Sequence, residues 1–410
     1  MHGVRRCVWV GLLLAGCQAR LDSEYRSLCA ALGGSPACPV ADVRPVDAGP
    51  PDAGGVDAGV SDGSVVDAGP PCLDTMNDPL HCGACGRRCD GPCIGGQCIP
   101  MQVAPNGPVN LTRPHALWVS DGGFFVGESV FCPSAQPNDA CVSNRLFEVV
   151  NGSFVLRAGG QYAISEVVLF DDRLYWNTWQ EAALYVMRRD GGSPSLFHHE
   201  DAGSTFGMVV HGARLFVVRN AAPSQLLVFS LNDEGLPVRH ELPDGGGGGG
   251  ATMLAVCGDD AFVALNRGGG ASGVVQVTRP GTPTAEVRWL LSGLDGAWAV
   301  ACDDANVFVS ESNANGRLLR IPRDGGAEVV VGTGLGFPRG IAIDRPFVYV
   351  IEHDAPVMRV VRYPLEGNPD AAVVLTNQVD QRIFLRRFGD HLYWTNYRGN
   401  SVVRAPLLAR

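Results

Sequence analysis

One landmark recurs seven times from residue 103 onward and constrains the fold more than anything else in the chain. An apolar run leads into a short acidic or glycine turn, and the next run centres on an aromatic residue. These aromatics are Phe125, Tyr175, Phe216, Phe262, Phe308, Tyr349 and Tyr393, spaced by 50, 41, 46, 46, 41 and 44 residues. Asp171-Asp172-Arg173-Leu174-Tyr175-Trp176 and Asp390-His391-Leu392-Tyr393-Trp394 show the unit plainly. A period in this range means stacked units that cannot bury their own faces alone. Four short strands with their turns fill about 40 to 50 residues, the length of one propeller blade. The sequence predicts an all-β protein with a seven-bladed β-propeller over residues 101–410, with six blades as the alternative.

Composition narrows the field further. Only 18% of residues are charged, while Gly 53 and Pro 28 supply turns rather than helices. There is no lysine, and all 32 basic residues are arginine. That excludes a Schiff-base lysine, a phosphate-loop lysine and a Ser-Lys dyad. A net charge of -10 argues against a nucleic-acid partner, which needs a basic surface.

Third and fourth strands are visible in several repeats, as in Gly316-Arg317-Leu318-Leu319-Arg320-Ile321-Pro322 followed by Asp324-Gly325-Gly326 and Ala327 to Val331. The last repeat stops after a third strand, Ser401 to Ala405. Its missing outer strand is expected from Pro108-Val109-Asn110-Leu111, which would close the ring and remove an open edge.

Ahead of the repeats the chain reads as an address, a tether and a staple. Residues 1–16 carry Arg5-Arg6 and a short apolar run from Val8 to Ala15, the pattern of a secretory signal peptide. Within residues 17–40, Cys29 and Cys38 are expected to close a small disulfide loop. Residues 41–71 repeat Asp every fifth position, from Asp42 to Asp67, among Ala, Gly and Pro. Such a segment has too little to bury to offset its ordering entropy and is expected to be a disordered linker. Residues 72–100 hold Cys72, Cys82, Cys85, Cys89, Cys93 and Cys98. The Cys82–Cys85 pair invites a zinc reading, with Cys89, Cys93 or His81 as further ligands. Export and an even cysteine count favour disulfides instead. Cys257 and Cys302 lie one repeat apart before equivalent turns and are expected to pair across neighbouring blades, with Cys132 and Cys141 pairing locally.

Four resemblances attach to these residues. Leu14-Ala15-Gly16-Cys17 resembles the bacterial lipobox, which implies that Cys17 is lipidated and that the chain is anchored at the cell envelope. Gln18 in place of Asp favours the outer membrane or cell surface. Asn77-Asp78-Pro79 with His81-Cys82-Gly83-Ala84-Cys85-Gly86 and Cys89 resembles the stigma-specific cysteine-rich family, which recurs in bacterial surface lipoproteins and implies no activity. Leu392-Tyr393-Trp394-Thr395-Asn396 resembles the YWTD blade signature, with Asn396 where the final Asp would stand. Phe337-Pro338-Arg339-Gly340-Ile341-Ala342-Ile343-Asp344 resembles an NHL strand.

No catalytic, metal or cofactor site is assigned. Gly245 to Gly250 lacks the strand-then-helix setting of a phosphate loop. His198-His199-Glu200-Asp201 is expected to be a solvated loop. The residues that open each innermost strand should converge at one mouth of the central channel. Counting back ten from each landmark gives His115, Ser165, Phe206, Thr252, Trp298, Arg339 and Ile383, with Glu166 and Arg382 one residue away. A ring kept for packing would repeat one residue type, whereas this one mixes a cation, an imidazole and an indole beside a carboxylate. His115, Glu166, Trp298, Arg339 and Arg382 are therefore the candidate ligand contacts. The expected function is a binding module whose partner is a protein, peptide or glycan at the cell surface. A calcium-dependent, lactonase-like hydrolase is the alternative.

Overall fold

Each landmark aromatic lies on the second strand of a four-stranded antiparallel sheet and is buried there. There are seven such sheets in the computed structural model, so the protein is a seven-bladed β-propeller. The structure describes residues 74–407 apart from residues 84, 86, 104–108, 131–142, 180, 234, 244–249, 269, 354–357 and 378–383. The expected signal peptide, lipidated segment and linker, together with Cys17, Cys29, Cys38, Cys72, Cys132, Cys141 and Arg382, lie outside the described residues.

The first strands are Pro114–Ser120, Ile164–Phe170, Ser204–His211, Gly250–Cys257, Ala297–Cys302, Pro338–Asp344 and Leu385–Phe388, for blades one to seven. Each touches the first strand of the next blade, and the seventh touches the first, so together they ring the axis. The cores lie between blades rather than within them. Phe125 packs with Ile164, Leu174 and Trp176 of blade two, and Phe262 with Val300 and Val307 of blade five. Tyr393 of blade seven packs with Leu117 and Val126 of blade one. The repeated aromatic is thus the wedge each blade presents to its successor, which is why its period shows through an otherwise divergent sequence.

Closure differs from the expectation. The outer strand of blade seven is Met101–Gln102, paired with Arg404 and Val403, and Val103 N–H donates to the Val402 carbonyl. Among the described residues, Val109 to Leu111 form no strand, and Leu111 is buried beside Tyr393 and Val402. Chain length explains the difference. Crossing three strand spacings takes roughly 14 Å. Only Thr112 and Arg113 would separate an outer strand ending at Leu111 from the inner strand at Pro114, and the three steps between those ends reach about 11 Å at most.

Cys257 and Cys302, at the ends of the first strands of blades four and five, are joined in a disulfide with Cα atoms 6.2 Å apart. In the cysteine-rich segment Cys82 bonds Cys93 and Cys89 bonds Cys98, around a hairpin pairing Cys93 with Cys98. Cys85 is also disulfide-bonded. The sulfurs of Cys82, Cys89 and Cys98 cluster within 4.8 Å. They do so as disulfides, not as thiolates awaiting zinc. This segment docks on the propeller: Arg87 donates to the Leu375 carbonyl at 3.0 Å, and Asp90 meets His391 at 2.6 Å and Arg404 at 3.2 Å.

His198 to Glu200 are not a solvated loop. His198 and His199 end the outer strand Ser195–His199, and Glu200 is buried. Its carboxylate holds His198 at 2.6 Å, Arg219 at 3.0 Å and Arg239 at 2.8 Å. The two arginines come from blade three, so the cluster is an ionic joint between blades.

Candidate functional site at the channel mouth

What aims side chains into the channel is a β-bulge at the start of the inner strand. In blade one, Pro114 pairs with Glu128 and Ala116 with Gly127, leaving His115 as the extra residue. Ser165 is the extra residue in blade two and Arg339 in blade six. Blades three, four and five carry the same irregularity over Phe206–Gly207, Thr252–Met253 and Trp298–Ala299. A bulge puts two residues opposite one and re-aims the odd side chain.

In blades one, five and six the loop ahead of the bulge is held by a buried carboxylate at the end of the second strand. Glu128 accepts from Thr112 N–H at 2.7 Å, Glu311 from Asp295 N–H at 2.8 Å and Glu352 from Gly336 N–H at 3.1 Å. Each holds the loop that leads into an inner strand, and each is paired with an arginine: Arg145, Arg317 and Arg359. Burial pushes the Glu311 carboxyl up, but the Arg317 hydrogen bond, the Asp295 N–H and the Arg317 charge together bring it below the usual carboxylate range.

His115, Ser165, Phe206, Trp298 and Arg339 line one cavity of about 330 Å³. Met253 replaces the expected Thr252, whose hydroxyl turns aside to donate to the Trp298 carbonyl at 2.7 Å. Phe384 lines the cavity from blade seven, and the expected Ile383 lies outside the described residues. The guanidinium carbon of Arg339 stands 4.0 Å from the centre of the Trp298 ring. One His115 ring nitrogen is 3.1 Å from the Ser165 carbonyl, and the ring meets Phe384 edge-on at 5.1 Å.

Besides Pro114 and Thr395, the sequence reading missed a set of wall residues at one common position: Ser129, Trp179, His353 and Tyr397. Each lies four positions after its landmark aromatic, just past the second strand. The signal was there, because the first two strands form a hairpin whose open end faces the mouth. Tyr397 donates its hydroxyl to the Ser129 carbonyl at 3.2 Å, which fixes its ring in the wall.

Glu166 sits deeper than the ring. It lines a second cavity of about 120 Å³ that shares Met253, Arg339 and Phe384 with the mouth. Its carboxylate accepts from Arg386 and, at 3.3 Å, from Met208 N–H. Burial pushes its carboxyl up to about 7, against the opposing pull of Arg386 and the Met208 N–H. Arg386 carries no landmark of its own, and the pairing joins blades two and seven past blade one, whose Leu117 carbonyl accepts from the same arginine at 3.4 Å.

No protein family matches the sequence, and no curated protein does. Solved structures share the fold. A catalytically inactive virginiamycin B lyase from Staphylococcus aureus with quinupristin is similar at 11% identity and a TM-score of 0.57, over 75% of this chain and 98% of that one. A streptogramin B lyase is similar at 9% identity and a TM-score of 0.57, over 76% and 98%. At these identities the likeness is one of fold alone, that of a β-propeller.

Proposed function

We propose that this chain is an exported, lipid-anchored propeller that acts as a non-catalytic binding module at the cell envelope, with its ligand seated at the channel mouth. The observation that carries this reading is the cavity of about 330 Å³ built by residues of unlike chemistry from all seven blades. A cavity of this size lies in the range of small-molecule sites, roughly 300 to 1,000 Å³. Aromatic walls with a few polar groups are what recognition of such a ligand requires. The envelope address rests on the signal peptide and on Cys17 in its lipobox-like setting.

The calcium-dependent hydrolase fits the residues poorly. Calcium takes six to eight oxygen ligands. Glu166 is the single carboxylate among the described residues that line the two channel cavities, and Arg386 already occupies it. The test of the binding reading is a fragment screen on the full chain by saturation-transfer NMR. Fragments that bind the wild type should lose their signal in Phe206→Ala and Trp298→Ala. Hits indifferent to both substitutions contradict it.

A further inference from the structure

Four wall residues of the mouth are tied to one carboxylate beneath them. Glu166 follows Ser165, and its carboxylate accepts from Arg386 of blade seven and, at 3.3 Å, from Met208 N–H of blade three. The Arg386 guanidinium carbon stands 5.0 Å from the centre of the Phe384 ring, and its Nε donates to the Leu117 carbonyl of blade one at 3.4 Å. The Asn177 side chain accepts from Glu166 N–H at 2.7 Å and donates to the Phe206 carbonyl at 2.6 Å. The groups so held stand beside His115, Ser165, Phe206 and Phe384 in the chain, the wall residues of blades one, two, three and seven.

We infer that Glu166 is a positioning residue that makes the mouth proton-sensitive: ionised, it holds Arg386 against Phe384 and sets the wall for its ligand; protonated, it frees Arg386 and slackens the wall of these four blades. The inference rests on the reading of the mouth as a ligand site. Its physical basis is the strength of a charge-assisted hydrogen bond, which the guanidinium loses when the carboxylate takes up a proton. The group is poised for this, because burial pushes its carboxyl up to about 7 against the pull of Arg386 and the Met208 N–H. Among the described residues, the other ionisable side chains around it are Arg339 of blade six, which lines the same small cavity, and His115 of blade one, with a ring nitrogen 3.1 Å from the Ser165 carbonyl. The second strand of blade two and the first strand of blade three present Asn177 and Met208 to it. A ligand that needs the set wall binds the ionised form, so its affinity rises with pH, and by reciprocity its binding releases a proton.

The neutral dye phenylnaphthylamine tests this on the full chain, because it carries no group that titrates near neutral pH. The wild type should bind it at one saturable site and lose affinity about fivefold or more as pH falls from about 8.5 to about 5.5, the low end of ordinary coupling between sites. The midpoint of the loss should lie at about 7. Glu166→Gln, the neutral isostere, should bind weakly and equally across the range. His115→Gln should keep the slope, a needed control because an imidazole also changes charge near neutral pH. If Phe206→Ala weakens the dye but the wild type shows no slope, or the slope survives Glu166→Gln, or it vanishes in His115→Gln, the mouth stands and the role of Glu166 is overturned. If the dye fails to bind at about pH 8.5, or ignores Phe206→Ala, the reading of the mouth is overturned and this inference with it.

Discussion

The Arg339 guanidinium carbon lies 4.0 Å from the centre of the Trp298 ring, and the two residues come from the inner strands of adjacent blades, six and five. The Trp298 carbonyl in turn accepts from Thr252 of blade four. Three blades therefore meet at one residue, Trp298, through its ring and its carbonyl. Both rim side chains are partly exposed, so the stacking should contribute about 0.5 to 1 kcal/mol. A double-mutant cycle of Trp298→Leu and Arg339→Gln, read by denaturant unfolding, should show that coupling. Strictly additive single substitutions would mean the contact contributes nothing.

The Cys257–Cys302 bridge closes 45 residues of chain and ties two blades at the end of the channel opposite the bulges. Replacing both cysteines with serine should lower stability by about 2 to 4 kcal/mol, seen as a lower guanidinium midpoint under oxidising conditions. An unchanged midpoint would show that blade packing alone holds this joint.

Glu166 gives the fold an unusual pH dependence. Its carboxyl is raised from 4.5 to about 7, chiefly by burial, so the folded state holds the proton more tightly than the unfolded one. Its contribution is fully present below pH 4.5 and declines as pH rises through about 7. Unfolding midpoints should therefore show the wild type losing ground to Glu166→Gln across that window. A constant difference would contradict the assignment. Glu311, held below its ordinary value, should behave oppositely, its contribution fading as pH falls below the usual carboxylate range.

The propeller was legible because its geometry repeats. Every blade must offer a bulky residue to the next, so Phe125, Tyr175 and their equivalents stand at one period. The mouth was legible for a related reason: the bulge keeps His115, Ser165 and Arg339 at a constant offset from those aromatics. Features made by contacts between distant segments were hidden. Met101–Gln102 is a two-residue exposed strand with no pattern of its own, and only chain reach shows that it must close the ring. The partners of Glu200 and Glu166, Arg239 and Arg386, lie 39 and 220 residues away. In blade four the choice between Thr252 and Met253 depends on where a two-residue bulge turns, and the sequence carries no signal for that.

The proposed anchoring through Cys17 makes a separate prediction. Cells fed an alkyne-bearing fatty acid should label the full chain, and the protein should fractionate with membranes. Cys17→Ser should abolish the label and release the protein. Labelling that persists in Cys17→Ser would remove the lipid anchor from this account.

The central claim is that the channel mouth is a ligand site, and a crystal of the full chain soaked with a mixture of aromatic acids and neutral aromatics addresses it most directly. The account predicts density in the cavity of about 330 Å³, with a ring against Trp298 and Phe206. Fragments bound elsewhere on the propeller while this cavity holds only water would contradict it.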